Sequence, residues 1–140
     1  MIVLGGYAMP LIKHTPHKSS LGLQANVVIL IIWFGGFVIS LIEPIAMFAF
    51  AVPFVILFLE KDSNLVRSHA IQAVSLYIIN IILSILMTVI PVLVFLFFVL
   101  AIVELALIVV AAFKGWYYHE YELPLIQPLA KWVSSVFLRA

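Results

Sequence analysis

The sequence predicts an all-α polytopic membrane protein: four transmembrane helices arranged as two hairpins, followed by a C-terminal amphipathic helix at the membrane interface. Three observations carry this prediction. The chain turns apolar near residue 21 and stays so, with few breaks, to Lys114. Hydrophobic residues make up 66% of it and charged residues only 9%, with a mean hydropathy of +1.31, whereas a soluble domain carries about 25% charged residues. All seven Lys and Arg fall at the short polar interruptions or at the two ends. A length of 140 residues suits a single membrane domain over 1–140.

The first span is read at 21–42, a run of 22 uncharged residues and long enough for about 30 Å of hydrocarbon. Glu43-Pro44 ends it, because proline cannot continue the helical ladder and a carboxylate prefers water. The second span, 45–59, has only 15 residues and would reach roughly 22 Å; Pro53 inside it is expected to kink it. The polar stretch Glu60-Lys61-Asp62-Ser63-Asn64 follows, and the third span runs over 67–90 to a second proline turn at Pro91. The fourth runs over 92–113 and stops at Lys114-Gly115, with Trp116-Tyr117-Tyr118 placed for the headgroup level. From 128 to 139, Leu129, Trp132, Val133, Val136 and Phe137 recur at helical spacing, with Lys131, Ser134, Ser135 and Arg139 at other positions. Such a helix suits either the membrane surface or the protein's own loops.

Four spans place Lys13, Lys18, Lys61, Arg67, Lys114, Lys131 and Arg139 on one side, and Glu43 is the only charge in the opposite turns. The positive-inside rule then makes both termini cytoplasmic, in an integral membrane protein expected in a prokaryotic inner membrane. A three-span alternative turns at Gly35-Gly36, making 37–59 one span and 21–34 an interfacial segment; the charge distribution favours four. The N-terminal stretch Met1 to Pro10 lacks the basic start of a signal peptide.

Two polar residues lie deep in the apolar runs. Glu104 stands near the middle of the fourth span, where a carboxylate costs on the order of 3 kcal/mol. It therefore should face the bundle. Asn80 lies eleven residues before Pro91 and Glu104 thirteen after it, so a hairpin brings them to nearly one depth as hydrogen-bond partners. His69, Asn80, Ser84 and Thr88 share one broad face of the third span, which reads as interhelical glue or as a polar path.

The chain offers little to an enzyme. Without cysteine there are no disulfides, thiol nucleophiles or Cys-ligated metals. No Gly-rich phosphate loop, Ser-His-Asp set or paired carboxylates are visible, so no catalytic residue is assigned and no cofactor is expected. His14-x-x-His17 with another His or acid could assemble a metal site, but the spacing matches no recognised one, and no metal ligand is assigned. A formal charge of +1 gives no basis for nucleic-acid binding. Gly35-Gly36 reads as a place of close helix packing.

The stretch from Phe58 to Ala73, with Lys61-Asp62-Ser63, Val66-Arg67, His69-Ala70 and Gln72-Ala73, resembles the signature of small bacterial and archaeal membrane proteins grouped as a domain of unknown function. These are similar in turn to the twenty-kilodalton subunit of the chloroplast inner-envelope import machinery, the Tic20-like family. Lys114-Gly115 and Tyr121-Glu122-Leu123-Pro124-Leu125-Ile126 resemble that family's ending, and the likeness covers about Pro53 to Val133. It departs at Ser68, where the family has an aromatic residue. The resemblance implies a helical membrane fold, with plastid relatives linked to protein translocation and some bacterial ones to specialised organelle membranes such as magnetosomes. It singles out Asp62, Arg67, His69 and Gln72; a plain structural reading has Ser63 or Asn64 cap the third span, with Arg67 and His69 pairing with Glu60 or Asp62.

Two functions are expected from these features. One is a non-enzymatic membrane subunit that assembles in the bilayer with itself or with a larger membrane complex, as a translocon-like accessory. The other is a small transporter or channel unit built around Asn80 and Glu104.

Overall fold

The computed structural model describes residues 2–4, 7–9, 13–123 and 126–137; Pro124, Leu125 and Arg139 lie outside the described residues. A short antiparallel hairpin of β1 (Ile2–Leu4) and β2 (Tyr7–Met9) pairs Ile2 with Met9 and Leu4 with Tyr7. The remaining named elements are helical. α1 (Ala25–Leu30), a π-helical turn (Ile31–Gly35) and α2 (Gly36–Ser40) form one continuous helix. A 3-10 turn (Ile45–Phe48) leads to α3 (Ala51–Leu59), and then come α4 (Asn64–Val89), α5 (Val94–Trp116) and α6 (Gln127–Phe137).

Among the described residues two helices, Asn64–Val89 and Pro91–Trp116, are long and apolar enough to cross a membrane. At 1.5 Å per residue α4 reaches about 39 Å, the helix Ala25–Ser40 about 24 Å and α3 about 14 Å. The first predicted hairpin is thus shorter than its sequence suggested, for local reasons. Residues 18–24 form a tight loop, with Lys18 bridged to Gln24, Ser19 N–H donating to the Leu23 carbonyl at 2.8 Å, and Gly22 at φ 82°. Helix therefore begins at Ala25 and not at Leu21. Ten residues after Ser40 are taken up by turns, and the predicted second span is α-helical only from Ala51. Pro53 does not kink α3; it sits in the first turn, where its missing N–H has no carbonyl to reach.

The long hairpin follows the sequence more closely. Ser63 caps α4, its side chain accepting from Val66 N–H at 3.2 Å, and Pro91 forces the break after Val89. α5 continues past the expected stop at Lys114-Gly115 to Trp116. It ends when Tyr118 enters the left-handed region at φ 61°, with Tyr118 N–H donating to the Gly115 carbonyl at 3.0 Å and His119 N–H to that of Lys114 at 2.9 Å. Glycine usually fills this position; Tyr118 is held there by its hydroxyl, which reaches Gln24 and Asn26 at 3.2 Å each.

The helix Ala25–Ser40 lies against both α4 and α5, and α3 and α6 pack on α4. All of this packing falls at one end. Leu65, Val66, Ala70 and Ala73 of α4, Ala111 and Ala112 of α5, and Val28, Ile29 and Ile32 of the first helix form the core there. Between Ile81 and Val110 no side chain is buried, and Val92, Phe95 and Ile102 are 79%, 77% and 73% exposed. An apolar surface this extensive is not kept against water. It suits the interior of a bilayer, and the protein is a membrane protein.

α6 uses its two apolar edges differently. Ala130 and Val133 are buried against the core, while Trp132 and Val136 face outward. Two glycines permit the closest approaches. A Cβ at Gly36 would press on the Tyr77 hydroxyl and the Ala49 carbonyl, and one at Gly115 would overlap Ile29. Because the Ile29 contact involves its Cβ as well as its methyl, rotation of the side chain does not relieve it. Gly115→Ala is expected to destabilise the fold by about 1–3 kcal/mol through overpacking, read as a lowered thermal midpoint in detergent.

Candidate functional site

The polar chemistry of the chain collects where the 13–24 loop, the 60–63 loop and the 117–123 tail meet. Glu60, only 2% exposed, is the hub. Its carboxylate accepts from Ser20 N–H at 2.9 and 3.1 Å, the Ser20 hydroxyl at 2.8 Å, Asp62 N–H at 3.0 Å and Ser63 N–H at 2.9 Å. The Ser20 oxygen in turn accepts from Lys61 N–H and Asp62 N–H, each at 2.9 Å. Burial alone would raise the Glu60 carboxyl, but these donors outweigh it and hold the group below its ordinary 4.5.

Histidines extend the network. His17 Nδ1 bonds the Thr15 carbonyl at 2.8 Å and its Nε2 the Ser63 hydroxyl at 2.6 Å. As Thr15 O only accepts, Nδ1 carries a proton, and in the neutral ring Nε2 accepts from the Ser63 hydroxyl. His14 Nε2 meets Glu120 at 2.8 Å, and His14 N–H donates to the Tyr118 carbonyl at 2.8 Å. Buried His69 is gripped from both sides. Trp33 Nε1–H donates to its Nδ1 at 3.0 Å, and Nε2 faces the His119 carbonyl at 2.8 Å. An indole only donates and a carbonyl only accepts, which fixes the Nε2–H tautomer.

The residues singled out from the sequence take different places. Asp62 is exposed, and it enters the network through its backbone N–H. Gln72 is buried and ties down the tail: its Oε1 accepts from Leu123 N–H at 3.1 Å, and it meets the Gln127 amide at 3.4 Å. Arg67 faces a groove beside α6. Among the described residues the ion pair within 4.0 Å is His14–Glu120, so the expected pairing of Arg67 or His69 with Glu60 or Asp62 is corrected: the backbone of the two loops occupies Glu60 instead. Among the described residues no three His, Asp or Glu converge as a metal site.

The Asn80–Glu104 pair lies further along the long hairpin. Asn80 Nδ2 donates to Glu104 Oε1 at 2.7 Å, bridging α4 and α5. Beside it is a cavity of about 320 Å³, lined by Trp33, Phe37 and Ser40 of the first helix, Tyr77 and Ser84 of α4, and Phe97 of α5. Ser84 and Thr88, read as interhelical glue, donate instead to the carbonyls of Asn80 and Ile85 in their own helix.

Sequence reasoning offered Ser63 or Asn64 as the cap, of which Ser63 serves, but missed Ser20, Trp33 and His119. No local pattern marks them, because each acts on a residue at least 36 positions away. The Glu60–Ser63 spacing was the available signal, an acid three residues before a cap.

Fold and site together define a small helical integral membrane protein with its polar groups locked at one end and a polar pair inside the apolar half. The chain matches the MamF/MmsF family, described as the magnetosome magnetite crystal formation protein family, over residues 17–130, and it belongs to that family. No curated protein and no solved structure matches it. This overturns the Tic20-like resemblance. The segment that suggested it is a loop-to-helix junction, whose Ser63, His69 and Gln72 cap a helix and fasten a tail. Those duties are not peculiar to a translocon.

Glu60→Ala would strand several backbone donors at this junction, and an expected loss on the order of 1–3 kcal/mol follows. Because folding lowers the Glu60 value, its stabilisation is present above 4.5 and lost as pH falls below it, when the unfolded chain takes up the proton first. Thermal melts of wild type and variant should therefore converge on acidification through that range; a gap independent of pH would contradict the assignment.

Proposed function

We propose that this chain is a non-enzymatic membrane subunit that serves magnetosome magnetite crystal formation by assembling with itself or with other proteins of that membrane. The observation that carries this reading is the family match over residues 17–130. Two structural features support it. At the closed end Glu60, His69 and Gln72 are engaged within the protein, and the distal half of α4 and α5 offers a continuous apolar surface for lipid or for neighbouring helices. In this reading the loops at 13–24 and 60–63 and the tail after Trp116 lie on the cytoplasmic side. The short hairpin of Ala25–Ser40 and α3 enters the bilayer beside the long one, as the first of two hairpins. Lys13, Lys18, Lys61, Lys114 and Lys131 all sit at that one end, as the positive-inside rule asks.

The cavity beside Glu104 supports a second reading, a small transport unit. Substitution separates the two. Glu104→Gln keeps an oxygen for Asn80 and removes the ionisable group, whereas Glu104→Leu breaks the bridge. As an assembly subunit, the protein should be recovered from membranes in mild detergent in a stoichiometric complex with itself or a partner, the Gln variant equally well and the Leu variant poorly. A Gln variant that assembles normally but loses ion flux in liposomes would favour transport.

A further inference from the structure

One face of α4 changes character along its length without losing its line. Asn64, Arg67, Ile71, Val74, Ile78 and Ile81 follow at spacings of three and four, one stripe of a helix. The first part of the stripe, with α6, walls a groove of about 340 Å³ that holds Asn64, Arg67, Lys131, Ser134 and Glu122. The second part, with α3 and Trp132 of α6, walls an almost wholly apolar groove of about 270 Å³ between Phe50, Phe54 and Val74, Ile78, Ile81. Lys131 and Trp132 are consecutive residues on opposite sides of this change, so charged and apolar compartments adjoin along one edge of α6.

The charged compartment is not self-satisfied. Arg67 Nε–H is shut off from solvent and has no acceptor among the described residues, and neither Arg67 nor Lys131 has an ion-pair partner within 4.0 Å there. A buried, unmatched guanidinium N–H is costly and calls for an oxyanion. An anion alone would not account for the apolar groove below. The Glu122 carboxylate in the same groove disfavours a ligand of net negative charge and suits an ammonium.

We propose that this composite groove binds one amine-bearing glycerophospholipid per chain, its phosphate on Arg67 and Lys131, its ammonium at Glu122, and an acyl chain along Val74, Ile78 and Ile81. The lipid would splint α6 onto α4 at the membrane surface. The shared chemistry is a phosphate oxyanion, which free phosphate could also supply; the apolar groove assigns it to the lipid.

The test is native mass spectrometry of the full chain in mild detergent, with added phosphatidylethanolamine, phosphatidylglycerol or inorganic phosphate, alongside thermal melts. One phosphatidylethanolamine should be retained. Arg67→Gln and Lys131→Gln should each lower its retention roughly tenfold, and Glu122→Gln should raise phosphatidylglycerol to the same level. Ile78→Trp, which fills the apolar groove, should abolish retention. Lys131 is exposed, so its variant keeps the test valid if Arg67→Gln fails to fold. Retention unchanged in the Lys131 variant would overturn the proposal. So would stabilisation by inorganic phosphate equal to that by the lipid and indifferent to Ile78→Trp, which would make this a free phosphate site.

Discussion

The carboxylate of Glu60 is the joint on which the closed end of this protein depends. A single side chain accepts hydrogen bonds from the loop before the first helix and from the loop before α4, and so fixes where both helices begin. Most of these donors are backbone N–H groups that no helix or strand satisfies, and the carboxylate takes them where the two loops meet. Once it is set, Ser63 can cap α4 while holding His17. His69, one turn and a half further on, is then aligned to take Trp33 from the first helix and the His119 carbonyl from the tail. Three segments distant in sequence are thus tied through α4.

That tie explains the uneven packing. The half of α4 near the joint is surrounded by the first helix, α3, α6 and the tail, and its residues from 69 to 75 are all buried. Beyond Ile81 no described side chain of the long hairpin is buried until Ala111; the end of the first helix borders it only across the cavity at Ser84 and Phe97, and the Asn80–Glu104 hydrogen bond joins its two arms. In hydrocarbon there is no hydrophobic gain from bringing two apolar helices together, so van der Waals packing and this polar bridge are what hold the arms to each other. The π-helical turn at Ile31–Gly35 lies where Trp33 must turn toward His69, a local widening of the kind that accompanies a specific contact.

The Tic20-like resemblance singled out Asp62, Arg67, His69 and Gln72, polar residues that stand out at the start of an apolar helix. Their conspicuousness reflects the junction: a polar loop must meet an apolar span, and something must satisfy the donors and carbonyls there. Such residues mark the place but not the purpose, and the family match to magnetosome proteins supplied what the segment alone could not.

The sequence by itself determined the membrane environment, the clustering of positive charge, a cap at Ser63 or Asn64, the break at Pro91 and the common level of Asn80 and Glu104 along the long hairpin. These follow from composition, from proline's geometry and from counting residues from a turn, which are local rules. Only the tertiary structure decided how far the first hairpin extends, which side chain receives the loop N–H groups, what holds His69, and which edge of α6 turns inward. Each of those depends on contacts between residues tens of positions apart, where several partners would satisfy the same donor and only packing selects among them.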